Sequence, residues 1–245
     1  MAPTFLFPLV GCIAFCASYI QSVTGFGFGI FSMIFLPRLL QYTEANVLSS
    51  MLSGLTSLSV MLQTRRQINW KNLLFPVSGC LVATWVAVSF IKTQKNDTLT
   101  LLLGVALFAL SMYFFFFSQK IKIRPTWYAG LLAGILSGLM GGMFSIGGPP
   151  VVIYFMQSEE DPQHYFSTIS CYFVFSGSIS IVSKAFAGFI TLPVMIGLAF
   201  GLVGMLIGSY IGKRTREKTN PKAIKKAVYG FMAVSGIVNI VTSLL

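Results

Sequence analysis

Gln21-Ser22-Val23-Thr24-Gly25-Phe26-Gly27-Phe28-Gly29 interrupts an apolar run that would otherwise continue from residue 4 to residue 40. Glycine at every second position from 25 to 29 opens backbone conformations that a Cβ resists. A helix over 4–23 therefore ends here, and a short one restarts over 28–40. The chain repeats the device once. Gly141-Gly142-Met143-Phe144-Ser145-Ile146-Gly147-Gly148-Pro149-Pro150 follows an apolar segment over 126–140. Pro149, which has no N–H, suits the first turn of a new helix over 148–157.

The surrounding sequence is that of a membrane protein. Of 245 residues, 55% are hydrophobic and only 9% charged, against about 25% charged in an ordinary globular domain. Mean hydropathy is +0.80. Further apolar segments run over 44–63, 70–91, 97–118, 164–186, 190–212 and 224–244, most of them near the roughly 20 residues that cross a hydrocarbon core. A soluble helical core would need polar outer helices to cover it, and the sequence has none. The fold class is all-α: a polytopic membrane protein of eight to ten segments. The net charge of +11 sits in short runs between apolar segments. Without an aromatic-basic platform, this predicts loops facing anionic lipid and no nucleic-acid partner. Cys12, Cys16, Cys80 and Cys171 all lie in apolar stretches and make neither a CxxC pair nor a ligand cluster with His164. They read as packing residues, so no metal or cofactor is expected. The first segment lacks a basic leader and is not a cleaved signal; Leu9-Val10-Gly11-Cys12 is a chance likeness to a lipoprotein box.

The two halves match in order. Ser53-Gly54-Leu55-Thr56-Ser57 follows the first break and Ser176-Gly177-Ser178-Ile179-Ser180 the second. Leu81-Val82-Ala83 with Ala87 corresponds to Leu202-Val203-Gly204 with Gly208, small residues four apart that let helices approach closely. This predicts a duplication, with repeats over 1–122 and 123–245 forming one membrane domain. Charge then decides the path through the membrane. If each broken region crossed once, the 17 basic residues would divide seven to ten, without bias. If each broken region goes in and returns, only Arg38, Lys92, Lys95 and Lys184 fall on one side, leaving 17 − 4 = 13 on the other. The positive-inside rule selects the second arrangement. It gives two inverted repeats, each opening with a glycine-broken helical hairpin, and both termini outside a bacterial inner membrane.

Chemistry gathers at the breaks. Short helices starting at Gly27-Phe28-Gly29 and Gly147-Gly148-Pro149 present free N–H groups and a positive dipole end, which suit an anion. Unpaired backbone at membrane depth needs a protein-lined or watery cavity. Thr24 and Gly25 at the first turn, Ser145 at the second, and Ser53 and Ser176 in mid-helix complete the expected set, because hydroxyls donate to an oxyanion without carrying charge. Tight helix packing is the competing account of the glycines, and interhelical bonding that of each serine. All six acidic residues fall in loops or at segment ends, against a cation pump or proton relay. Lys184 and Arg38 read as snorkelling to the interface, and His164 as an interfacial residue. No nucleophile with a base and no paired membrane carboxylates can be assembled, so an enzyme is not expected.

At Gln21–Gly29 with Pro37, and at Gly141–Pro150, the chain resembles the TauE/SafE sulfite exporter family over nearly its whole length. The first motif reads G-F-G-F-G where the family more often has three consecutive glycines, and the second has no proline matching Pro37. The resemblance implies a transporter of sulfite, organosulfonates or related sulfur oxyanions, mostly outward. The family is often described with about eight spans, whereas the charge count favours five segments per half. Two other readings stay open: a passive anion channel using the same residues, and a sulfur-handling permease using the thiol of Cys16 or Cys171.

Overall fold

The computed structural model describes residues 6–64, 68–116, 124–159, 161–216, 218 and 221–244. The helices are α1 (Leu6–Thr24), α2 (Phe28–Phe35), α3 (Tyr42–Thr64), α4 (Trp70–Lys92) and α5 (Asn96–Phe116) in the first half. The second has α6 (Trp127–Phe144), α7 (Gly148–Ser158), α8 (Pro162–Phe186), α9 (Leu192–Thr215) and α10 (Pro221–Leu244). A 3-10 turn over Leu36–Arg38 ends α2, where Pro37 cannot continue the α-helical ladder. Asn69 and Asp161 accept backbone N–H bonds at the starts of α4 and α8, as helix caps should. Among the described residues there is no strand, and eight helices are long and apolar enough to cross a membrane. The protein is a polytopic membrane protein. At 1.5 Å per residue, α2 with its 8 residues and α7 with its 11 reach only about 12 and 16 Å, too short for a core of about 30 Å.

Helix directions follow from which residues meet. Gly204, Gly208 and Gly212 of α9 abut Gly11, Phe15 and Tyr19 of α1 in rising order, so these helices are parallel. Leu48 and Leu52 of α3 lie against Gly197 and Gly201, so α3 runs the same way. In the other half, Gly134, Gly138 and Gly142 of α6 abut Pro76, Cys80 and Ala87 of α4, again in parallel. α8 opposes α3, since Gly54 meets Gly177 while Ser50 bonds Ser180. Two consequences follow. α1 and α3 point the same way, so α2 and its 3-10 turn bring the chain back between them; α7 does the same between α6 and α8. Corresponding helices of the two halves also run oppositely, α1 against α6 and α3 against α8.

These directions place the ends of α3, α5 and α9, with Lys213, Arg214, Arg216 and Lys218, on one face, and Arg38, Lys92 and Lys95 on the other. Exposed Trp70, Trp127 and Tyr128 ring the basic face like an interfacial aromatic belt. The expected boundary between residues 122 and 123, and Arg65, Arg66, Lys120 and Lys122, lie outside the described residues. One expected boundary is corrected. α6 does not stop at residue 140 but runs through Gly141 and Gly142 to Phe144. Gly142 packs against Thr84 and Ala87 of α4, where a methyl would sit 2.6 Å from the Ala87 Cβ. In this half Gly142 serves helix packing, Gly141 lies against Gly147 beside the break, and the break itself falls at Ser145–Gly147.

Candidate functional site

The first break is built by two glycines in the left-handed region, Gly25 at φ 86° and Gly27 at φ 106°. A residue with a Cβ would carry about 1–2 kcal/mol of strain at each. The Gly25 N–H closes on Gln21 O at 2.8 Å. Thr24 Oγ1 sits 2.8 Å from Ile20 O and 2.6 Å from Phe26 O, with the Phe26 N–H also directed at it. Its hydroxyl is consumed in holding the turn. Gly27 then begins α2 with no side-chain cap. The N–H groups of Phe28, Gly29 and Ile30, in the first turn, therefore have no helical partner.

The second break uses a serine where the first uses glycine. Ser145 follows α6 as Gly25 follows α1, and it has φ 56°, alone in that region among the described non-glycine residues. Its N–H donates to Gly141 O at 3.0 Å, the 5→1 bond of a left-handed helix cap, and that of Ile146 donates to Met140 O at 3.2 Å. Protein donors occupy two carbonyls of this break. Met143 O accepts from Tyr42 Oη at 2.6 Å and Asn46 Nδ2 at 2.5 Å, and Gly147 O accepts from Ser137 Oγ at 2.5 Å. Tyr172 Oη donates in turn to Ser137 Oγ at 2.8 Å. At the start of α7, Pro149 and Pro150 carry no donor, which leaves the N–H of Gly148.

The two breaks touch. A methyl on Gly29 would collide with the carbonyl of Ser145. Beside this contact lies a cavity of about 60 Å³, where a single water needs about 10–15 Å³ on the same measure. It is lined by Gly27, Phe28, Gly29, Ser53, Ser145, Gly147, Gly148 and Ser176, eight of the residues expected from sequence. Three expected residues do not line it. Thr24 and Gly25 face away, fixing the turn, and Pro149 is buried in the first turn of α7. Gln21, Ser50, Thr84, Ser137 and Ser180 also line the cavity. Gln21 Nε2 donates to Ser57 Oγ at 2.6 Å, and Ser53 Oγ to Gln21 Oε1 at 3.3 Å. Ser50 Oγ is 2.7 Å from Ser145 Oγ and 3.5 Å from Ser180 Oγ. The lining is thus uncharged, rich in donors, and free of carboxylates. Among the described residues no group of three His, Cys, Asp or Glu could hold a metal. Of the thiols, Cys80 lines the cavity, 3.5 Å from Thr84 Oγ1, while Cys16 and Cys171 do not.

Lys184 overturns its sequence reading. It is not at the interface but 0% exposed, its Nζ donating to Ser50 Oγ at 2.6 Å and to Ser145 Oγ at 3.4 Å. The reason is geometric. Cα–Cβ bonds in a helix tilt toward its N-terminus, so a lysine near the end of α8 leans back into the bundle. Arg38 and His164 are exposed, as expected.

An all-helical membrane bundle around a small donor-lined cavity, built where two helices are broken, defines the class as a polytopic transport protein. The chain belongs to the sulfite exporter TauE/SafE family, whose model matches residues 10–238. It is similar to a "Probable sulfite/organosulfonate exporter TauE" of Cupriavidus necator, 23% identical over 214 residues, covering 82% of each chain. No solved structure matches.

Proposed function

We propose that this protein is a secondary transporter that exports a small sulfur oxyanion, sulfite or an organosulfonate, by alternating access around the cavity between the two breaks. The observation that carries the reading is the polarity of the cavity. Met143 O and Gly147 O of the second break are occupied by protein donors, while the N–H groups at the start of α2 have no helical acceptor and the hydroxyls of Ser50, Ser53, Ser145 and Ser176 line the cavity. An oxyanion with several lone pairs complements such a site. The cavity suits a headgroup of a few heavy atoms. The two opposed halves supply the moving parts: rocking one set of helices against the other would expose the site to each side in turn. The chain lies in a bacterial inner membrane with the basic face toward the cytoplasm and both termini outside. The family's transport role supports a non-enzymatic protein.

Reconstitution into liposomes tests the reading. Saturable sulfite flux accelerated by internal unlabelled sulfite (counterflow) is the expected result. Flux that neither saturates nor shows counterflow would establish a channel instead, and no flux of any sulfur oxyanion would remove the assignment.

A further inference from the structure

The cavity walls carry no charge, yet one charge stands directly behind them. Lys184 is fully buried, and its Nζ is held by two hydroxyls, Ser50 and Ser145, that both line the cavity. Among the described residues, no carboxylate lies within ion-pair distance of it. An ionisable side chain inside a membrane bundle is costly and calls for a partner. Ser145 adds an independent sign. It holds a left-handed backbone that costs a residue with a Cβ, at the position where the other half has glycine. Its hydroxyl contacts Ser50, Lys184 and Asn46, so the strain sits where the ammonium meets the cavity.

We propose that Lys184 supplies the positive charge against which the substrate anion binds, delivered through the Ser50 and Ser145 hydroxyls. A hydroxyl that accepts from an ammonium becomes a stronger donor. Ser50 Oγ now lies 3.0 Å from Asn46 O, and Ser145 Oγ lies 2.8 Å from the same carbonyl. Each can turn its proton into the cavity when an oxyanion arrives, with Nζ still bonded behind it. The bound anion becomes the counter-ion that Lys184 otherwise lacks, and Lys184 acts as a positioning and charge-supplying residue without lining the cavity itself. The α7 side offers few backbone donors because of Pro149 and Pro150, so this charge balances the N–H groups that α2 presents opposite.

The inference rests on the anion reading above, and the test separates the two. Binding of methanesulfonate and of its neutral isostere dimethyl sulfone is measured on purified wild type, K184M, K184Q and K184R. Wild type should prefer the anion. In K184M and K184Q that preference should fall by about 10- to 100-fold, the worth of a hydrogen bond to a charged group. K184R should restore most of it, and the sulfone should bind all four proteins alike. A purely structural lysine would weaken both ligands together. Wild type that binds no sulfonate would overturn the anion reading itself. Wild type that prefers the anion, with K184M and K184Q preferring it equally, would overturn only the role of Lys184. Failure of both K184M and K184Q to fold would also overturn it, since a charge kept for the substrate is dispensable to the empty protein.

Discussion

At the scale of single residues, the site is governed by how a few side chains spend their hydrogen bonds. Thr24 and Ser145 both flank a break, and both were expected to face the ligand. Thr24 turns its hydroxyl onto Ile20 and Phe26 carbonyls, whereas Ser145 turns its own onto the network beside the cavity. The sequence cannot separate these roles, because each depends on the χ1 rotamer that the turn allows. Ser50 was legible in principle: it lies three residues before Ser53 on the same helical face. Lys184 was misread because its position near a helix end suggested snorkelling, and only the tilt of its Cβ and the serines ahead of it show otherwise. Ser145 affords a clean comparison. S145A and S145G lose the same hydroxyl, but only alanine keeps a Cβ in the left-handed region. S145G should therefore be more stable than S145A by about 1 kcal/mol, measured by unfolding in detergent, while both bind sulfonate more weakly than wild type. S145A more stable than S145G would mean that the αL strain is relieved elsewhere.

At the scale of helices, glycine does two different jobs that composition cannot tell apart. At Gly25 and Gly27 it supplies a backbone conformation; along α6 and α9 it supplies closeness. The small-residue match of Ala83 and Ala87 with Gly204 and Gly208 was readable as packing and is so used, α4 against α6 and α9 against α1. Gly142 looked like part of the break because it sits beside it, but it is where α6 meets Thr84 and Ala87 of α4, whereas its neighbour Gly141 does lie against Gly147 of the break. A methyl on Gly138 would lie 2.7 Å from the Cys80 carbonyl oxygen, whereas one on Gly230 meets nothing within 4 Å. G138A should cost about 1–3 kcal/mol from overpacking, and G230A should gain up to about 1 kcal/mol from helix propensity. Thermal unfolding of the two variants beside wild type checks both signs at once.

At the scale of the whole molecule, the in-and-return path was legible in the sequence through charge alone: returning the chain at each break gathered thirteen basic residues on one side. The rising contacts of α9 with both α1 and α3 require the same return, by an argument that uses no charge. What the sequence could not supply was the meeting of the two breaks, since Gly29 and Ser145 are separated by more than a hundred residues and their contact follows only from how the halves interlock. The topology makes its own prediction. In a cysteine-free background, cysteines introduced at Gln41 and Lys95 should react with a membrane-impermeant reagent applied outside, and one at Arg124 should not. Reaction at Arg124 with protection at Gln41 would reverse the orientation. Opposite accessibility of Gln41 and Lys95 would mean that α3 or α4 does not cross the membrane.

The central claim is that an oxyanion binds where the two breaks touch. Selenite, the selenium analogue of sulfite, allows it to be located by anomalous diffraction from crystals of the intact protein. The account predicts an anomalous peak within hydrogen-bonding distance of the Gly29–Ile30 N–H groups and the Ser50 and Ser145 hydroxyls. Peaks confined to the basic face around Lys213 and Arg214, with the cavity empty under conditions where binding is saturated, would contradict it.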